Sequence, residues 1–173
     1  RFLQESVSSQ FSRHHKPVTI PETRLTVSST RAVNTDSLRN DKMRNLLLIS
    51  SSRVHGTEFL EHCRGAIADH LEGCQSLLFV PYALKEHQQY ADLVASALKP
   101  IGIAVNSIHT STNPAASVQQ AEAIFIGGGN TFRLLKTIYD LQLREPLRDA
   151  VQGRGAPYLG SSAGTNMACP TIR

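Results

Sequence analysis

The chain has 173 residues, 40% of them hydrophobic, and a formal net charge of +4, enough apolar material for one globular domain with a true core. No apolar run approaches the about 20 residues of a membrane-spanning helix, so no membrane partner is expected. The three cysteines, Cys63, Cys74 and Cys169, lack CxxC or Cys/His ligand spacing, which argues against a disulfide framework and a zinc site and suits a reducing, cytoplasmic compartment.

Residues 1–42 are rich in Ser, Thr, Arg and Asn, with no sustained helical or strand period. Such a stretch buries too little apolar surface to offset its ordering entropy, and it reads as a disordered or non-native N-terminal extension. Residues 1–43 hold seven Lys and Arg against four Asp and Glu, whereas 44–173 hold eleven against ten. The isoelectric point near 9.2 therefore reports the leading segment and not a basic stripe on a folded surface, and nucleic acid is not an expected partner. The chain starts with Arg, and Met43 is a plausible initiator, which puts the domain at 43–173. A transit peptide is the competing reading, opposed by Glu5, Glu22, Asp36 and Asp41.

From Arg44 the pattern alternates between short apolar runs and helical periods. Asn45–Ser50 predicts a strand buried on both faces. Thr57–Glu72 predicts a helix with Phe59, Leu60, Cys63, Ile67 and Leu71 on one stripe, capped by Thr57 and stopped by Gly73. Ser76–Val80 is a second buried strand, closed by Pro81. Tyr90, Leu93, Val94, Ala97 and Leu98 mark a helix halted by Pro100 and Gly102. A strand over Ile103–Ile108 follows, then a short helix opened by Asn113 and Pro114. Ala123–Ile126 is a strand, and Asn130 caps a helix carrying Phe132, Leu135, Ile138 and Tyr139. Glu145–Val151 is helical, Ala156–Leu159 is the last strand, and a helix starts at Ser162. Strands alternating with helices imply an α/β fold: a mostly parallel sheet between two helical layers, with working groups at the carboxyl ends of the strands.

Two glycine-rich turns lie at such ends. Gly160-Ser161-Ser162-Ala163-Gly164 matches the G-x-S-x-G nucleophile elbow, after a strand and before a helix. The sharp turn needs small residues two before and two after the serine, which makes Ser162 the candidate nucleophile. The Ala163 N–H is then placed to receive a developing oxyanion. Gly127-Gly128-Gly129-Asn130 lacks both the G-x-G-x-x-G spacing and a Walker lysine. It reads better as the second oxyanion donor, from Gly128 or Gly129, than as a phosphate cradle. A serine also needs a base and an acid. His14 and His15 lie in the leading segment, His62 and His70 fall among helical residues, and His55 and His109 follow strands but precede the serine, the reverse of the usual order. The base is therefore missing from view. Cys169 has no elbow around it and reads as a buried core thiol.

The runs Gly127-Gly128-Gly129-Asn130-Thr131-Phe132, Tyr158-Leu159-Gly160-Ser161-Ser162-Ala163-Gly164-Thr165-Asn166 and Ala168-Cys169-Pro170-Thr171-Ile172-Arg173 closely resemble the alpha-aspartyl dipeptidases (peptidase E, peptidase family S51), with the likeness running over about 44–173. The resemblance implies a three-layer α/β/α sandwich related to class I glutamine amidotransferase domains, with Ser162 as nucleophile. It further implies hydrolysis of Asp-Xaa dipeptides without metal or cofactor. The family's histidine and acid lie downstream of the Cys-Pro-Thr-Ile-Arg segment. On that reading the chain is a C-terminally truncated form, inactive as given and prone to aggregate through exposed apolar edges. An aspartate substrate calls for cationic or amide groups, for which Asn130, Asn166 and Arg173 are the candidates. Two other readings share the pattern: a cyanophycinase-like exopeptidase, and a non-catalytic domain that binds a nucleotide or small anion on its glycine turns.

Overall fold

The computed structural model describes residues 45–169. The expectations for residues 1–42 and for Arg173 lie outside that range. The described part holds one five-stranded sheet of order β1-β5-β4-β2-β3, built from β1 (Leu46–Ile49), β2 (Ser76–Val80), β3 (Ala104–Ser107), β4 (Ile124–Ile126) and β5 (Tyr158–Ser161). Every pairing is parallel, and the central register sets Phe79 beside Phe125 and Phe125 beside Leu159.

The helices are α1 (Arg64–His70), α2 (His87–Leu98), α3 (Pro114–Gln120), α4 (Thr131–Asp140), α5 (Arg144–Arg148) and α6 (Ala163–Met167). Strand residues alternate between two cores. Leu77, Phe79, Phe125 and Leu159 pack with Ile67, Val94 and Leu98 of α1 and α2. Leu78, Val80, Ile124, Ile126 and Tyr158 pack on the other face with Val118, Leu134, Leu147 and Ala163 of α3 to α6. The result is the expected three-layer sandwich. From β1 to β3 the chain crosses the sheet one way with α1 and α2 on one face. It then returns through β4 to β5 with α3 to α5 on the other, as right-handed crossovers require. The reversal opens a crevice at the carboxyl ends of the strands.

Local signals set the boundaries well in places. The Asn113 side chain accepts the Ala116 N–H (3.1 Å) to open α3, and Asn130 accepts the Arg133 N–H (2.9 Å) to open α4. Gly102, at φ 76, ends the turn after α2.

Other expectations are corrected. The Thr57–Glu72 helix is shorter: a 3₁₀ turn at Glu61–Cys63 leads into α1, behind Leu60 at φ 60. Thr57 caps no helix; its hydroxyl donates to the Val54 carbonyl (3.0 Å). In α4 Ile138 is buried as expected, but its buried partner is Leu134, while Phe132 is 76% and Tyr139 56% exposed. β1 is not buried on both faces. It pairs only with β5 among the described strands, and Leu46 (36%) and Leu48 (43%) are open on the face carrying α3 to α6. Cys169 is exposed and not a core thiol.

Candidate active site

Ser162 sits between β5 and α6 with its backbone at φ 50, ψ −105. Positive φ is rare for a residue with a Cβ and costs about 1–3 kcal/mol, so the surroundings must hold it. The Ser162 N–H donates to the Ile49 carbonyl of β1 (2.9 Å). The Thr165 hydroxyl donates to the carbonyls of Ile49 and Gly160, both at 3.0 Å. The buried Tyr158 hydroxyl donates to the Gly164 carbonyl at 2.6 Å.

The flanking glycines are sterically required. A Cβ on Gly160 would lie 2.8 Å from the carbonyl carbon of Gly164, and one on Gly164 would be driven into the Ile126 carbonyl. Ser162 is left exposed between buried Ser161 and buried Ala163.

The Gly127–Gly129 turn runs beside it. A Cβ on Gly128 would come within 3.1 Å of the Ser162 Cβ. Gly127 donates its N–H to the Val80 carbonyl (3.2 Å) and Asn130 donates to Ala83 (2.9 Å). The Gly128 N–H donates to the buried Tyr90 hydroxyl at 2.8 Å. Gly129 adopts φ 136, and a Cβ there would meet the Ala83 carbonyl oxygen at 2.7 Å. The N–H groups of Gly129 and Ala163 have no partner among the hydrogen bonds of the described residues. Of the two glycines expected as donors, Gly128 is engaged and Gly129 is free.

Tyr90, one of the apolar stripe of α2, is buried and also serves the glycine turn, a role its place in the stripe does not signal. Its ring packs edge-on against Phe79 (4.9 Å between centroids) and Phe59 (6.2 Å). Burial pushes its phenol above the ordinary value, opposed by the bond from Gly128.

The elbow and the glycine turn open into a cavity of about 770 Å³. Its other walls are the Ser50–Arg53 loop after β1, Phe59, and the Leu84–Glu86 loop after β2, so four strand ends converge on it. Arg53, Lys85 and Glu86 were not singled out in the sequence. The small polar run Ser50-Ser51-Ser52, directly after a strand, was the available signal.

The other expected site residues are elsewhere. Asn130 is used as the cap of α4, and the Asn166 amide donates to the Thr131 hydroxyl (3.2 Å), tying α6 to α4. Neither lines the cavity. No described histidine lines it either. His70 Nε2 pairs with the Tyr158 carbonyl (3.1 Å), and burial pulls its pKa below the ordinary value. His109 bonds Ser107 (2.6 Å) and Gln88 (3.2 Å) beside β3. Among the described residues no group of three His, Cys, Asp or Glu side chains is placed to hold a metal, and no helix is long and apolar enough to cross a membrane.

The chain is 49% identical over 131 residues to a "Probable alpha-aspartyl dipeptidase" of Drosophila melanogaster, covering 75% of this chain and 55% of that protein. It is 48% identical over 129 residues to a "Peptidase E" of Streptomyces coelicolor, covering 75% and 53%. The chain thus spans about half the length of these curated relatives. In fold it is similar to the crystal structure of a putative peptidase E from Listeria monocytogenes EGD-e, with a TM-score of 0.52 at 22% identity, covering 69% of this chain and 58% of that one. The model of "Peptidase family S51" matches residues 46–173, from the first strand through the elbow, and the chain belongs to that family.

Proposed function

We propose that Ser162 is the nucleophile of a serine-type dipeptidase that cleaves Asp-Xaa dipeptides. The observation that carries this is the exposed, positive-φ serine facing a cavity beside two uncommitted backbone N–H groups, those of Ala163 and Gly129. The hydroxyl oxygen attacks the scissile carbonyl and negative charge collects on the carbonyl oxygen, where the two N–H groups receive it. Collapse breaks the C–N bond and releases the second residue as its amine. Water then cleaves the acyl-enzyme. A base must take the serine proton and return it to the leaving amine. No described histidine lines the cavity, and the family resemblance puts the base and its acid outside residues 45–169.

The cavity wall supports the substrate class. It carries two cations, Arg53 and Lys85, and one carboxylate, Glu86. An Asp-Xaa dipeptide carries two carboxylates and one ammonium, the inverse set. The name of the Drosophila relative, a probable alpha-aspartyl dipeptidase, points the same way. Three free thiols suit a cytoplasmic setting. A cyanophycinase-like exopeptidase would share the elbow and differ in the pocket. The nucleotide-binding alternative is weakened, because the Gly127 and Gly128 N–H groups that would cradle phosphate are already bonded to Val80 and Tyr90.

A fluorophosphonate probe tests the nucleophile in the full-length enzyme. Labelling is expected in the wild type and lost in Ser162→Ala. Equal labelling of the variant would remove Ser162 from this role.

A further inference from the structure

Resting on the hydrolase reading of Ser162, we infer that Arg53, stacked on Phe59, is the subsite that takes a substrate carboxylate and sets the enzyme's preference for doubly anionic dipeptides. The first support is position. Ser162 is anchored to the last carbonyl of β1, Ile49, and the chain leaves β1 directly into the loop that carries Arg53. Nucleophile and cation thereby share one cavity.

The second support is preorganisation. The Ser51 hydroxyl donates to the Arg53 carbonyl (2.7 Å) and accepts the Arg53 N–H (3.3 Å), which clamps this backbone. The Ser52 carbonyl accepts the Leu60 N–H (2.8 Å), closing the loop onto buried Phe59 and Leu60. The Arg53 guanidinium carbon lies 5.7 Å from the centroid of the Phe59 ring. A guanidinium resting on an aromatic ring keeps its donor edges available, and its fork matches a carboxylate bidentately.

The third support is missing charge. The ion pairs of the described residues join Lys136 to Asp140 and Arg144 and Arg148 to Glu145, all on α4 and α5. Among the described residues neither Arg53 nor Lys85 is in an ion pair, so both face the cavity without an internal counter-ion. Lys85 supplies a second, unforked positive charge, and Glu86 in the same wall suits the substrate's ammonium.

Calorimetric titration of this chain with Asp-Leu, Asn-Leu and Asp-Leu amide tests the subsite. Asn-Leu lacks the side-chain carboxylate and the amide lacks the terminal one. The wild type is expected to prefer Asp-Leu. Arg53→Ala should weaken Asp-Leu binding roughly tenfold to a hundredfold and erase the preference over one analogue, which identifies the carboxylate held. Arg53→Lys keeps the charge without the fork and should fall between them, and the difference between wild type and Arg53→Ala should shrink at high salt. Wild-type binding without preference, or an Arg53→Ala variant that binds Asp-Leu as tightly and keeps both preferences, overturns the subsite. Failure of the nucleophile reading is distinguishable, since it shows as absent fluorophosphonate labelling whatever the dipeptides do.

Discussion

The elbow and the glycine turn are each clamped by one buried tyrosine, and the two clamps work in opposite senses. At the elbow, Tyr158 donates its proton to the Gly164 carbonyl (2.6 Å). At the turn, Tyr90 accepts the Gly128 N–H (2.8 Å). A Cβ on either elbow glycine would meet backbone, that of Gly164 or of Ile126, whereas one on Gly127 would first meet the Tyr90 ring, at 2.7 Å, in a turn also tied by backbone bonds to Val80 and Ala83. Backbone contacts thus hold Ser162. The glycine turn is held by the Tyr90 side chain together with its backbone bonds, which leaves the Gly129 N–H free.

This contrast can be broken at graded cost. The largest effect belongs to Gly164→Ala, whose Cβ has no room against the Ile126 carbonyl. Loss of more than about 3 kcal/mol is expected, seen as a collapse of the urea midpoint. Tyr90→Phe comes next, because it strands a buried N–H. About 1–3 kcal/mol of stability should go, and fluorophosphonate labelling of Ser162 should slow as the turn loosens. Tyr158→Phe leaves a carbonyl under-satisfied, which is milder, and about 1 kcal/mol is expected.

The smallest effect is a pH dependence. Burial pushes both phenols above the ordinary value, and the charge of Cys169 adds to the shift at Tyr158. The folded state therefore keeps protons that the unfolded chain gives up. The associated stability is complete below about pH 10 and declines as pH rises beyond it. A phenolate can still accept from Gly128 but cannot donate to Gly164. Alkaline melts should accordingly be less steep in Tyr158→Phe than in the wild type, and near-UV difference spectra would record the ionisation.

How much of this was legible depended on the range of the interactions. The caps at Asn113 and Asn130 and the signature of the elbow were readable because each is local in sequence, and the order of the elements because apolar runs alternate with helical periods. The buried face of α4 was not. Phe132, Leu135 and Tyr139 join Ile138 in one plausible stripe, and only packing on the sheet selects Leu134 as its buried partner instead. The openness of Leu46 and Leu48 follows from β1 having a partner on one side only among the described strands, which no local pattern states. Tyr90 escaped notice because its partner Gly128 lies 38 residues away. Arg53 escaped because a lone arginine in a polar loop resembles any solvated one.

The Ile49 carbonyl has a consequence for how the chain is made. It receives the Thr165 hydroxyl across 116 residues of sequence, as well as the Ser162 N–H. Closing so long a loop carries a large entropic cost before any contact rewards it. During synthesis at about 5–20 residues per second, the first strand waits on the order of 6–23 s for the segment that completes it. The positive-φ backbone of Ser162 can therefore be set only late, once the sheet that must hold it exists.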